Sequence, residues 1–162
     1  MEPKLGRLDH ITFWVGDLER AERFYTEVLG GKVRARLEGT RAPQISMILA
    51  DNSAAVDLCL DRDFTERTFD IPERNKQKAY HPHFAFAVEK QDIEAFTEHL
   101  KVMDVPFDGP RTHGGERVAS IYFNDPWGNH LEICCNDYSA AGYPLGGPDQ
   151  RKLIYPQNSR WK

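Results

Sequence analysis

No stretch of this sequence stays apolar for the ~18–20 residues that a membrane-spanning helix needs. The opening Met1-Glu2-Pro3-Lys4-Leu5-Gly6-Arg7 lacks the apolar core of a secretory leader, so a cytoplasmic location is expected. Cysteine is scarce. Its three copies, Cys59, Cys134 and Cys135, make no even disulfide framework. Adjacent Cys134 and Cys135 would point to opposite faces of a strand, which argues against a metal-binding pair. All three are expected to be reduced, and no His/Asn setting surrounds any of them that would activate a nucleophile. Excess positive charge is missing too. A formal net charge of -4 removes the electrostatic reason to expect nucleic acid or an anionic membrane as a partner. What remains is 162 residues, 40% apolar and 28% charged, an ordinary soluble balance and a length suited to one domain.

The most informative feature is internal similarity. Leu8-Asp9-His10-Ile11-Thr12-Phe13-Trp14-Val15 resembles His81-Pro82-His83-Phe84-Ala85-Phe86-Ala87-Val88, with His10 and His83 in register at an offset of 73. Both runs alternate with period two, so Ile11, Phe13 and Val15 share one face, as do Phe84, Phe86 and Val88, while His10 and His83 take the other. A helix pattern follows each run. Asp17 is a plausible N-cap for Leu18, Ala21, Phe24, Tyr25, Val28 and Leu29, and Gly30-Gly31 closes that helix. Asp92 opens or precedes a second helix whose Ile93, Phe96 and Leu100 share a side; Met103 continues it and Pro106 bars extension. Strands are expected at 32–37, 44–50 and 55–60, then from Pro106-Phe107 onward, at 118–124 and at 130–135. The last two are joined by the turn Asp125-Pro126-Trp127-Gly128-Asn129. The pattern predicts an α+β fold: two paired βαβββ modules, about 7–60 and 81–136, forming a curved mixed sheet around a metal site with helices outside. Residues 1–136 are thus expected to make a single domain. A charged crossover at 61–80 carries mixed signs and reads as solvated. The tail, 137–162, is irregular, yet Tyr138, Tyr143, Tyr155 and Trp161 are too many aromatics for an ordinary disordered end.

Alternation places the chemistry. With Leu131 and Ile133 on the core face, His130, Glu132 and Cys134 take the other; with Val56, Leu58 and Leu60 inward, Asp57 and Cys59 are opposite. Superposing the units brings His10 onto His83 and Asp57 onto Glu132. A lone strand histidine is more often a surface or hydrogen-bonded residue than a ligand. Repetition at symmetric positions, with a carboxylate placed likewise, makes His10, His83 and Glu132 a candidate metal site, because two imidazoles and one carboxylate suit Fe(II), Mn(II) or Zn(II) and leave positions open. Asp57, one carbon shorter than Glu, is either a fourth ligand or an outer residue. His81 competes with His83, although Pro82 suggests that the strand starts at His83.

These residues resemble the vicinal oxygen chelate superfamily, which includes glyoxalase I, extradiol dioxygenases, fosfomycin-resistance enzymes and bleomycin-binding proteins. The resemblance spans roughly residues 7–136. It rests on Leu8-Asp9-His10-Ile11-Thr12, Phe24-Tyr25 with Leu29-Gly30, His83-Phe84-Ala85-Phe86, and Ser120-Ile121-Tyr122-Phe123-Asn124-Asp125-Pro126-Trp127-Gly128-Asn129-His130-Leu131-Glu132. It implies the paired modules, a divalent metal on His10, His83 and Glu132 (Fe(II) or Mn(II) foremost, Zn(II) or Ni(II) as alternatives), a small-molecule substrate and a homodimer. His113, Tyr122, Asp125-Pro126, Gly128 and Glu132 follow the spacing of the extradiol pattern. Arg111, two before the histidine, departs from it, and only Thr68 stands near the place of a further upstream histidine.

The leading expectation is therefore an extradiol-type dioxygenase acting on neighbouring oxygens, with Tyr122 bonding a substrate oxygen and His113 as a pocket-wall acid/base. Their bland readings are sheet filling for Tyr122 and a loop position before Gly114-Gly115 for His113. Thr12 and the Arg117–Tyr122 stretch resemble the fosfomycin-resistance branch, but no Arg follows Glu132 until Arg151, and a dianionic substrate would want that charge. A glyoxalase-like lyase would use Asp57 as a fourth ligand. A metal-free drug-binding protein normally lacks the ligand trio. Trp14, Met47, Phe107 and the tail are expected to wall the pocket.

Overall fold

In the computed structural model, residues 8–39, 42–50, 54–64, 83–113, 117–139 and 141–162 are described. The chain forms two compact units, Met1–Phe64 and Thr65–Lys162. The greater part of the charged crossover, from residue 65, and with it Thr68, His81 and Pro82, lies outside the described residues.

The first unit runs β1 (His10–Val15), α1 (Leu18–Leu29), β2 (Lys32–Leu37), β3 (Gln44–Leu49) and β4 (Ala54–Leu60). Asp17 starts α1: its extended backbone lets the carboxylate accept from the Arg20 N–H at 2.9 Å, satisfying a donor that the first turn leaves open. Gly30 ends it at φ +68°, a left-handed conformation in which a Cβ would be strained. Between these stops Ala21, Phe24, Tyr25 and Val28 bury one stripe. Tyr25 meets Phe13 of β1 with ring centres 6.2 Å apart. The strands lie in the order β1-β4-β3-β2, with β1 parallel to β4 and the other neighbours antiparallel. Direct pairing of Phe13 with Leu58, and of Ile45 and Met47 with Leu58 and Val56, fixes the inward face. Each such side chain, fully buried, contributes about 1.5–3 kcal/mol.

The second unit repeats the plan: β5 (Phe84–Ala87), α2 (Asp92–Val102), β6 (Phe107–Arg111), β7 (Ala119–Asn124) and β8 (His130–Cys135), in the order β5-β8-β7-β6 with β5 parallel to β8. It is an α+β fold of two four-stranded mixed sheets. Helix α2 buries Ile93 and Leu100 but has no side-chain cap at Gln91. The β7–β8 turn is tied by Asp125, whose Oδ1 accepts from the Trp127 and Asn129 N–H groups at 3.0 and 2.8 Å. Four-residue β5 is an edge strand. Its Phe84 pairs with Leu131 on the inward face yet stays 40% exposed.

Past β8 the chain is irregular apart from a 3-10 turn at Gln150–Leu153, but it is held. Trp161 is fully buried and its indole N–H donates to the Met103 carbonyl at 2.7 Å. The Tyr155 hydroxyl donates to the Asn124 carbonyl at 2.7 Å. Among the described residues no helix is long and apolar enough to cross a membrane.

Candidate metal centre

In the second unit the strand register lines up the polar face. Tyr122 of β7 lies directly across from Glu132 of β8, and His83 immediately precedes β5, which runs beside β8. His83 Nε2 is 2.7 Å from Glu132 Oε2. The His83 ring stands edge-on to Tyr122 and to His130, at 5.6 and 5.7 Å between centres, while Tyr122 and His130 stack at 5.7 Å. His113, just beyond β6, sits with Nε2 2.7 Å from the Tyr122 hydroxyl. Burial pushes the Tyr122 phenol up, and the negative charge of Glu132 pushes it further. It therefore stays protonated through neutral and mildly alkaline solution and remains a hydrogen-bond donor.

Asn124 and His130 complete this arrangement, and the sequence pattern assigned them no role. His130 Nδ1 lies 2.7 Å from Asn124 Oδ1. The Asn124 amide nitrogen donates to the Leu153 carbonyl at 3.4 Å, so Oδ1 is left to accept and His130 Nδ1 carries the proton. Period two had already put His130 on the Glu132 face; its pairing with Asn124 follows from their positions opposite one another across β7 and β8.

The first unit offers the matching pair in looser form. His10 Nε2 is 3.9 Å from Asp57 Oδ2, and its Nδ1 is 3.0 Å from Asp9. Ser46 pairs across from Asp57, the position that Tyr122 holds against Glu132. Among the described residues, Asp57 Oδ1 and Ser46 Oγ are buried without a hydrogen-bond partner.

Among the described residues no three His, Cys, Asp or Glu side chains gather as a ready-made metal cluster. Each unit supplies a pair. In the second unit an imidazole nitrogen and a carboxylate oxygen, donors that suit a divalent ion, are already in contact at His83 and Glu132; in the first, a carboxylate oxygen of Asp57 is buried without a donor among the described residues.

Other expected residues fall elsewhere. Met47 is fully buried and pairs with Val56 on the inward face, so it belongs to the core of the first unit and not to a pocket wall, a consequence of its parity in β3. Trp14 is exposed, on the His10 side of β1, and Phe107 is half-buried. All three cysteines are free. Burial and then neighbouring carboxylates, Asp57 and Glu132, push the Cys59 and Cys134 thiols up, which keeps them protonated and poor nucleophiles. Gly114 and Gly115 lie outside the described residues.

A family model described as the Glyoxalase/Bleomycin resistance protein/Dioxygenase superfamily matches residues 7–133. The chain belongs to this superfamily. Among its curated relatives in that superfamily is metapyrocatechase of Pseudomonas sp. (strain CF600), 27% identical over 136 residues, covering 82% of this chain and 40% of that protein. The chain thus spans under half the length of that relative. Glutathione transferase FosA of Serratia marcescens is 29% identical over 133 residues, covering 80% of each chain. Among solved structures, a glyoxylase/bleomycin resistance protein/dioxygenase domain from Frankia sp. EAN1pec superposes with a TM-score of 0.68 at 22% identity, covering 82% of this chain and 99% of that one, a likeness of fold. A second solved structure of like fold, the fosfomycin resistance protein FosX of Listeria monocytogenes (TM-score 0.58, 18% identity, covering 83% of this chain and 93% of that one), was crystallised as a complex with Mn(II) and sulfate.

Proposed function

We propose that this chain is a divalent-metal-dependent enzyme of the extradiol dioxygenase type, with His10, His83 and Glu132 as the metal ligands. The observation that carries the reading is the His113–Tyr122 hydrogen bond of 2.7 Å, on a tyrosine that touches the ring of His83 and lies across from Glu132. The bound ion, Fe(II) or Mn(II), supplies Lewis acidity and a template for two neighbouring substrate oxygens. Tyr122, a buried phenol, donates to one of those oxygens. With the phenol proton directed at substrate, His113 carries its own proton at Nε2, donates it to the phenol oxygen, and can replace a proton that the phenol gives up. His130, stacked on Tyr122 and fixed by Asn124, holds the phenol ring in place. The enzyme works as a cytoplasmic homodimer, with His10 drawn from the same chain or from a second copy.

A transferase of the fosfomycin-resistance kind is the second reading, favoured by the even coverage of FosA. Against it, the first two basic residues after Glu132, which a phosphonate would want, are engaged: Arg151 pairs with Asp149 at 2.8 Å and Lys152 with Asp108 at 2.9 Å.

Anaerobic loading with Fe(II), followed by air and a panel of catechols, should yield a yellow ring-fission product. Failure across the panel, with thiol addition to an epoxide phosphonate instead, would transfer the assignment to the second reading. Protein that takes up no stoichiometric metal would be a binding module.

A further inference from the structure

His113 lies beyond the support of its own sheet. The β6–β7 ladder is irregular after Asp108 and its last pair is Arg111 with Ser120, two residues short of His113. From there the C-terminal segment takes over. The Thr112 N–H donates to the Pro144 carbonyl and the Gly146 N–H donates to the Thr112 carbonyl, both at 2.9 Å. Arg111 Nε donates to the Gly146 carbonyl at 2.9 Å, and its Nη1 to Asp108 Oδ2 at 2.7 Å. Asp108 is only 7% exposed and is the hub: it also accepts from the Asp149 N–H at 2.8 Å and from Lys152 Nζ at 2.9 Å. Arg111, with 15% exposure, thus fastens the tail at Gly146 to the strand end and ties it to Asp108, which holds Asp149 and Lys152. Its planar fork can hold a carboxylate and a carbonyl at once; a lysine ammonium has no such fixed geometry.

We propose that residues 144–152 are a strap that positions His113 against Tyr122, and that Arg111 is the positioning residue that fastens it. The catalytic consequence rests on the reading of His113 as the acid/base; the geometric one does not. Loss of the strap leaves Thr112 without its backbone partners and frees the imidazole to leave the phenol.

The test uses full-length, metal-loaded protein labelled with 15N-histidine, with the His113 signals assigned by their loss in His113→Gln. Tyr122→Phe removes the contact directly and sets the reference shift. In Arg111→Ala the His113 Nε2 resonance should move most of the way to that reference, and Arg111→Lys should restore part of it. With catechol as substrate, kcat should fall about 10–100-fold, as misplacement of a reacting group costs, while KM and metal stoichiometry stay within about three-fold, the split expected when an interaction is lost in the transition state only. Gly146→Ala serves if Arg111→Ala does not fold: at φ +97° a side chain strains the strap without touching the buried charges, and open space surrounds the new Cβ. A His113 resonance that moves in Tyr122→Phe but in neither strap variant overturns the proposal. Absence of ring cleavage in the unaltered protein would sink the dioxygenase reading alone, since the resonance shifts still judge the strap.

Discussion

At matching places in the two sheets, His83 and Glu132 are in contact at 2.7 Å, whereas His10 and Asp57 stand 3.9 Å apart. Strand order is the same in both units, and so is the register of β4 with β1 and β3 and of β8 with β5 and β7, so the difference at these pairs lies in the side chains. Asp is one methylene shorter than Glu. Ser46 stands where Tyr122 stands, and it leaves the neighbouring carboxylate oxygen unbonded. The second unit has also gathered His130, Asn124 and His113 around its tyrosine, and the first has no counterpart to them at Ala55 or Ile48. A repeated fold thus preserves where a histidine and a carboxylate meet, while among the described residues the hydrogen-bonded cluster around a tyrosine belongs to the second copy.

The largest effects should separate Glu132 from Asp57. Glu132→Ala or His83→Ala should lower metal affinity on the order of 10²-fold or more, beyond what loss of an outer-shell partner costs. His10→Ala should match them, and Asp57→Ala should cost about 10–100-fold at most, as an outer residue would. Metal analysis by mass spectrometry decides; equal losses at Asp57 would make the two units equivalent and favour a four-ligand site. Mixing inactive His10→Ala and His83→Ala proteins should restore activity only if the ligands come from different chains.

Tyr122→Phe should reduce kcat about 10²-fold, the lower range for a proton-transfer group, with the metal retained. If kcat is unchanged, the aromatic cluster is packing and the contrast between the units is only one of shape.

The Asp108 hub gives a pH signature to the second unit. Burial pushes its carboxyl up, but the Asp149 N–H and the cations of Lys152 and Arg111 outweigh that and hold it below its ordinary value. Its stabilising contribution is therefore complete above the unfolded value of about 3.9 and is lost as pH falls below it. Asp108→Asn should cost about 2 kcal/mol near neutrality, less than the 3–5 kcal/mol of a fully buried pair, because Lys152 is 57% exposed. Thermal unfolding between about pH 2 and 5, the range below and around the unfolded value, should show a shallower acid decline for the variant; parallel curves would deny the hub its role.

The smallest contrast is at the helix starts. Asp17→Ala should cost about 1 kcal/mol, and Gln91→Ala close to nothing, since Gln91 makes no cap bond. Chemical denaturation measures both, and equal losses would contradict the cap geometry.

Much of this fold was legible because period two and period 3.6 alternate cleanly around hard stops. Asp17, Gly30 and the Asp125–Asn129 turn each carry a local physical cause, and the elements begin and end beside them. Parity along β4 and β8 was enough to put Asp57 and Glu132 on the polar face. Met47, expected on a wall, shares the parity of Ile45 and Leu49 in β3, which places it in the core. The Asn124–His130 bond needed the β7–β8 register, which no periodicity supplies. Least legible was the tail. Its aromatics signalled that it packs, but a segment without a period says nothing of where, and Arg111 showed only as a misfit in a pattern.

Asn124 is where that tail and the polar face share one residue. Its carbonyl receives Tyr155, its amide nitrogen reaches Leu153, and its amide oxygen holds His130. Tails are the part of a fold most readily exchanged by recombination or design, but here an exchange would not be silent. A grafted end that failed to satisfy Asn124 would let its amide rotate, turn the His130 ring with it and loosen the stack on Tyr122. Chimeras of this chain with other members of its superfamily should therefore be joined outside the span from Asn124 to Tyr155, so that the residue and its three partners are inherited together.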